Sequence, residues 1–216
     1  MVTLEIFWDP ICPWCWIGKA HLDRALEGAP DHPFALSWRP FRLNPDMPPE
    51  GADRAAYLEA KFGGRAAAAK VYARVEAAAA EAGLPMDFAR IRRTPDTTNA
   101  HRLMHWAGIE GRQTPVAAQL FRRYFQEGQD ISDPAVLVEA AATAGMDRAL
   151  TAALLAGTED RDAVREMDAA ARGMGVSAVP TFLIGGRWVL QGAQPPEVWA
   201  RLIAELAAAE GAAKDV

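Results

Sequence analysis

Cysteine is scarce in this chain, with two residues in 216. A disulfide framework is excluded, and a chain of this length can bury a core without such staples. No apolar run approaches the roughly 20 residues that span a bilayer, so no membrane partner is expected. The start, Met1-Val2-Thr3-Leu4-Glu5-Ile6, lacks the basic and apolar regions of a secretory leader, and a cytoplasmic protein is expected. An excess of basic residues is also lacking. The net charge is −5, which argues against a nucleic-acid partner. Hydrophobic residues make up 50% and charged residues 24%, the balance of a folded globular chain rather than a disordered one. No repeat period recurs. Gly63-Gly64 and Gly185-Gly186 read as turns, not phosphate cradles.

What is present has a clear order. Val2, Leu4, Ile6 and Trp8 alternate with Thr3, Glu5 and Phe7, a strand ended by Asp9-Pro10. Ile17, Ala20, Leu22, Ala25 and Leu26 follow at helical spacing up to Gly28. Phe34, Leu36 and Trp38 then alternate until Pro40. This opening reads β-α-β, with the helix as a right-handed crossover if the strands are parallel. A Pro-rich loop, Asn44 to Glu50, leads into an alanine-rich stretch with helix punctuation and no strand signal. Asp53 can cap a helix ending at Gly63-Gly64, and Arg65 to Ala82 reads as a long helix closed by Gly83. Thr114-Pro115 and Ser132-Asp133-Pro134 each place a capping side chain before a first-turn proline. Asp147 and Thr158 are further caps. Strand character returns in Thr181 to Ile184 and Arg187 to Leu190, joined by Gly185-Gly186 as a two-residue hairpin. Pro195-Pro196 starts a last helix, and the residues after Glu210 read as a frayed tail. Residues 1–43 and 174–216 therefore complete one small α/β domain, and 44–173 form an all-helical insertion without a sheet of its own.

Cys12-Pro13-Trp14-Cys15 is the most informative feature. Two intervening residues let two sulfurs meet across the first turn of a helix. The first cysteine then sits where unpaired N–H groups and the helix dipole favour a thiolate. Pro13 suits that turn because it needs no N–H there. No acid follows until Asp23, and Lys19 adds positive charge. Asp9 would oppose thiolate formation if it pointed inward. The second cysteine lies deeper and should be more protected. His101 and His105 could in principle join the two cysteines in a Cys₂His₂ set, but the spacing is unlike a zinc finger and no metal is expected. His21 could face the thiols from the first helix. Far along the chain, Val179-Pro180-Thr181 places an X-Pro bond at a strand entrance, either cis or a trans proline starting an edge strand; a proline there would leave a backbone edge open beside the sulfurs with no competing N–H.

Three stretches together carry a resemblance: Asp9 to Gly18, Asn99-Ala100-His101-Arg102-Leu103, and Gly175 to Phe182 running into Gly192-Ala193-Gln194-Pro195. Over nearly its whole length the chain resembles the DsbA-like branch of the thioredoxin superfamily, and in particular its cytoplasmic FrnE-like members. The resemblance implies a thioredoxin fold interrupted by a helical insertion. It implies Cys12 as attacking thiolate, Cys15 as resolving thiol and Pro180 as the cis-proline opposite them. It also implies that extended substrate pairs with the backbone at Val179, with Pro13 and Trp14 beside it. DsbA itself has Pro-His between its cysteines, whereas this chain has Pro13-Trp14. No imidazolium stands there to hold a thiolate, so a milder oxidant than DsbA is implied.

The expected activity is thiol–disulfide exchange through a mixed disulfide, on protein or small-molecule thiols and disulfides. No bound cofactor is needed beyond the Cys12–Cys15 redox pair, with glutathione open as a co-substrate. Trp14, Trp16 and Trp188 are candidates for an apolar rim, with core packing the alternative for Trp188. A glutathione-dependent isomerase or transferase, of the hydroxychromene-carboxylate isomerase or kappa type, is the alternative. Those relatives usually lack the second cysteine. Asn99 with Arg90, Arg92, Arg93 and Arg102 could meet glutathione carboxylates, although a solvated helix face explains them equally well. A third reading is a redox-switched binding protein without turnover.

Overall fold

A computed structural model describes residues 1–212. The tail expected beyond Glu210 begins inside the last helix, and 213–216 lie outside the described residues. β1 (Val2–Trp8) is a central strand. It pairs in parallel with β2 (Phe34–Pro40), from Val2 opposite Phe34 to Trp8 opposite Pro40. Helix α1 (Pro13–Glu27) makes the crossover between them. β5 (Thr181–Ile184) runs antiparallel on the other side of β1, and β6 (Trp188–Gln191) completes the order β2-β1-β5-β6. The alternation in β1 reflects one face buried from Leu4 onward and an opposite face that is exposed at Thr3 and covered at Phe7. Leu4, Ile6 and Trp8 enter the main core, while Phe7 packs with Phe41 and Ala171 on the opposite side. Helix α9 (Pro196–Ala212) lies against α1, and its buried Trp199 meets the Phe182 ring edge-on at 4.7 Å.

Between the halves of this sheet come β3 (Ala52–Asp53), α2 (Arg54–Phe62), α3 (Arg65–Glu81), β4 (Arg93–Thr94), α4 (Thr98–Ile109), α5 (Gln113–Phe121), α6 (Pro134–Thr143), α7 (Arg148–Ala156) and α8 (Arg161–Gly173). Caps set the starts of α2, α6 and α7. The side chains of Asp53, Asp133 and Asp147 accept from the N–H groups of Ala56, Ala135 and Leu150. Gly63 closes α2 in the left-handed region at φ 78°. β2, an edge strand, is covered by α5. Gln113 bridges its backbone, accepting from the Trp38 N–H and donating to the Trp38 carbonyl.

Four expectations need correction. The insertion does contain a sheet, a two-stranded ribbon pairing Ala52 with Thr94 and Asp53 with Arg93. Two-residue strands are too short to leave a period in the sequence. Thr114 does not cap α5, which begins one residue earlier; its hydroxyl accepts from the Trp38 indole instead. Thr158 is not a cap either, because α8 begins at Arg161 after Asp160 at φ 59°. The β5–β6 turn includes Arg187, since Ile184 lies opposite Trp188.

Candidate active site

Cys12 occupies the N-cap position of α1, with backbone φ −89° and ψ 111°, and Pro13 opens the helix. No acidic residue lies in the first turn. Cys15 follows one turn later, its N–H donating to the Cys12 carbonyl at 3.0 Å. Both thiols are free, and both are more enclosed than the motif suggests: Cys12 is 4% exposed and Cys15 2%. Burial first, then the neighbouring Cys12 sulfur, holds the Cys15 thiol well above its usual range. Cys15 therefore stays protonated where a surface thiol would begin to ionise.

The Val179–Pro180 peptide is cis, and the Cys12 thiol donates to the Val179 carbonyl at 3.5 Å. Close approach of this segment to α1 depends on Gly18. A Cβ there would lie 3.1 Å from the Pro180 ring and 3.4 Å from the Ala193 backbone. Gly18→Val is expected to lower stability by about 1 to 3 kcal/mol. It should also slow alkylation or exchange at Cys12, checked by urea unfolding and a thiol-reactivity assay.

Asp9 does point inward and is fully buried. Its two carboxyl oxygens accept from the N–H groups of Ile11 at 3.2 Å and Leu43 at 2.6 Å. Burial nevertheless outweighs these bonds and the nearby positive charges of Arg42 and Lys61, and it pushes the carboxyl up to about 7. Lys19 does not supply the free charge expected of it, because it is paired with Asp23.

A groove of about 300 Å³ opens from Cys12, between the start of α1 and the helices α2 and α3. Pro13, Trp14 and Val179 line it with Cys12, as do Arg54, Lys61, Tyr72 and Tyr124. Trp14 is 38% exposed at its rim. Trp16 is not part of the rim. It is buried against both Phe121 and Phe125, at ring distances of 6.0 and 5.8 Å. Trp188 is exposed on the edge strand β6 and does not line the groove. A wider cavity of about 490 Å³ adjoins the groove, shares Arg54, Leu58 and Tyr72 with it, and contains no thiol.

The basic stretch of the insertion does not line this groove: Arg90 and Arg92 are exposed, with Arg92 on the adjoining cavity, and Arg93 and Arg102 are held by other partners. Arg102 is fully buried and donates to the carbonyls of Glu159, Leu154 and Gly157 and to Asn99 Oδ1. Arg93 is tied to the Glu50 carbonyl and to Asp130. His101 and His105 line a separate cavity of about 380 Å³ beside β2, so they do not assemble with Cys12 and Cys15. His21 pairs with the Gln194 carbonyl at 3.0 Å instead of facing the thiols. Among the described residues no cluster of three or more His, Cys, Asp or Glu is arranged to hold a metal. No described helix is long and apolar enough to cross a membrane. Sequence reasoning missed Arg54, Lys61, Tyr72 and Tyr124, which have no common spacing.

A parallel β-α-β unit, an antiparallel hairpin and two thiols at the N-terminus of the crossover helix define a thioredoxin-fold protein with a helical insertion. More narrowly, the chain belongs to the DSBA-like thioredoxin domain family, whose pattern matches residues 3–204. It is 30% identical to a probable DsbA oxidoreductase from Streptomyces coelicolor, with a TM-score of 0.83 over 95% of this chain and 89% of that one. The cytosolic disulfide reductase DsbM from Pseudomonas aeruginosa, solved with GSH, shares the fold at 20% identity and a TM-score of 0.67, over 95% and 98% of the two chains. The uncharacterised Bacillus subtilis protein YwbO is 26% identical over 205 residues, 94% of this chain and 96% of its own.

Proposed function

We propose that this protein is a thiol–disulfide oxidoreductase working through Cys12 and Cys15, with protein cystines or dithiols as its main substrates. The observation that carries the reading is the placement of Cys12. It stands at the start of a helix, one turn from Cys15, beside the Val179 carbonyl and at the mouth of a groove. In the reducing direction the Cys12 thiolate attacks a substrate disulfide. A new S–S bond forms, and the distal substrate sulfur leaves as a thiolate. Cys15 then loses its proton and attacks Cys12, the second substrate sulfur leaves, and two electrons have passed to the substrate. Keeping Cys15 protonated until that step prevents both thiols competing for the same disulfide. The reverse sequence donates the disulfide to a dithiol. No bound cofactor takes part, Val179 supplies a backbone edge for an extended segment, and Pro13 and Trp14 border it.

With Trp14 where DsbA has histidine, we propose a FrnE-like, milder oxidant. Equilibration with glutathione buffers should give a potential clearly more negative than the about −120 mV of DsbA. The central test is trapping. Cys15→Ser leaves Cys12 able to attack but unresolved, so mixed disulfides accumulate. Mass spectrometry of that variant purified from cells, with Cys12→Ser as control, should find proteins attached through Cys12. Glutathione alone would favour the glutathione-linked reading. A bare thiol would sink both and leave the binding-protein reading.

A further inference from the structure

Arg54 breaks two local rules at once. It is the first residue of α2, where the helix dipole disfavours a cation. It is also buried, at 6% exposure, and among the described residues no carboxylate pairs with it. Burying a guanidinium without a counter-charge is strongly unfavourable. The fold offsets this with phenols. Arg54 donates to the hydroxyls of Tyr124 at 3.0 Å and Tyr72 at 2.8 Å, and it sits 5.2 Å from the centre of the Tyr72 ring. Irregular structure is assembled to make this possible. Tyr124 stands on a π-helical turn, Arg122–Gln126, and donates to the Arg93 carbonyl in β4. The Arg54 N–H bonds the Arg92 carbonyl beside the ribbon. Gly51, at φ 69° just before β3, allows the Thr94 carbonyl to approach where a Cβ would be 2.6 Å away.

This cation faces the groove that holds Cys12. Among the described residues, Lys61 is the only other charged residue lining that groove, and its ammonium donates to the Tyr57 hydroxyl rather than to an acid. A chain with a net charge of −5 thus lines its thiol groove with two cations and, among the described residues, no carboxylate. The acids nearby, Asp53, Glu59 and Glu76, line the adjoining cavity instead. Buried, incompletely neutralised charge in a cleft calls for a ligand of the opposite sign.

We propose that the groove selects disulfide substrates bearing a carboxylate, which Arg54 receives, with Lys61 at the rim, while Cys12 attacks the sulfur. The inference rests on the oxidoreductase reading and follows the same electron balance. Substrate S–S cleavage releases two thiols as Cys12 and Cys15 become the disulfide. A small carboxylated disulfide and a protein cystine beside an acidic side chain offer the same group.

The test is the rate at which reduced protein is oxidised by three small disulfides: 3,3'-dithiodipropionate (anionic), 2-hydroxyethyl disulfide (neutral) and cystamine (cationic). Each rate is divided by that of free dithiothreitol with the same disulfide, which removes intrinsic reactivity. The anionic-to-neutral ratio should be at least about tenfold in the parent protein and cationic disulfide the slowest. Arg54→Met should bring the ratio near one, and Lys61→Met should lower it several-fold. A fold defect alone would slow all three disulfides together and leave the ratio intact. Because Arg54→Met can fail to fold, the exposed Lys61→Met variant decides in that case: an unchanged ratio there overturns the inference, as does a ratio of one in the parent. Disulfide-linked peptides with glutamate or glutamine beside the cysteine then separate the sources. A glutamate preference assigns the carboxylate to protein substrates, and its absence beside a retained small-disulfide ratio assigns it to small ones. Failure of all three disulfides to oxidise the pair overturns the oxidoreductase reading itself.

Discussion

Cys12→Ser is expected to abolish turnover of a disulfide substrate, with a loss on the order of a thousandfold or more. A serine hydroxyl at the same N-cap position stays protonated at neutral pH and cannot attack sulfur. It does, however, suit the helix start as well as cysteine does, so the fold should be retained. Cys15→Ser should lose turnover to a similar degree but keep one round of attack, visible as a single equivalent of released thiol. Steady-state reduction of an insulin-type disulfide, together with single-turnover thiol release, separates the two. Retained turnover in Cys12→Ser would show that the motif is not the reacting centre.

The second large effect concerns pH and two buried groups of opposite kind. Asp9 keeps its proton in the fold up to about 7, whereas the unfolded carboxyl releases it near 3.8. Between those values the folded state holds the extra proton, so its stability falls as pH rises. His101 behaves in the opposite sense. Burial, followed by the nearby Arg42 charge, lowers the ring to about 3 from its usual 6.5. Over that interval the unfolded state holds the extra proton, so stability rises with pH. Each shift corresponds to about 4 to 5 kcal/mol, and over their shared range the two slopes nearly cancel. Urea unfolding of the reduced parent protein should therefore vary little through this pair between about pH 4 and 6.5. Asp9→Asn should reveal a steep rise in stability with pH, and His101→Phe a steep fall. The slopes are the readout, because the amide introduced by Asp9→Asn opposes one of the two backbone N–H donors and lowers stability at every pH. Equal slopes in the parent and both variants would refute the assignment.

Legibility differed from element to element. The β1 and β2 alternation, the Asp53, Asp133 and Asp147 caps and the Gly63 stop were all visible, because each is a contact within a few residues along the chain. The ribbon of β3 and β4 was not. Its pairing joins Ala52 to Thr94 across two helices, and nothing in two residues announces a partner. Thr114 misled for a related reason: its hydroxyl is drawn away from the helix end by the Trp38 indole. The arginines around Asn99 read equally as a ligand surface or a solvated helix face, yet Arg102 is spent on the carbonyls of Leu154, Gly157 and Glu159, which only the packing of α4 against α7 and α8 brings near.

By itself the amino-acid sequence determined the thiol pair, the helix that starts beneath it and the β-α-β and β-β-α halves, since these follow from spacing, period and turn chemistry. Only the tertiary structure decided what surrounds the sulfurs. The Val179 carbonyl reaches Cys12 across 167 residues of chain, the Asp9 carboxyl is sealed by Leu43, and Arg54 is held by Tyr72 and Tyr124. Contacts of that range carry no local signature, because they arise where separate elements pack and not from any interval along the chain.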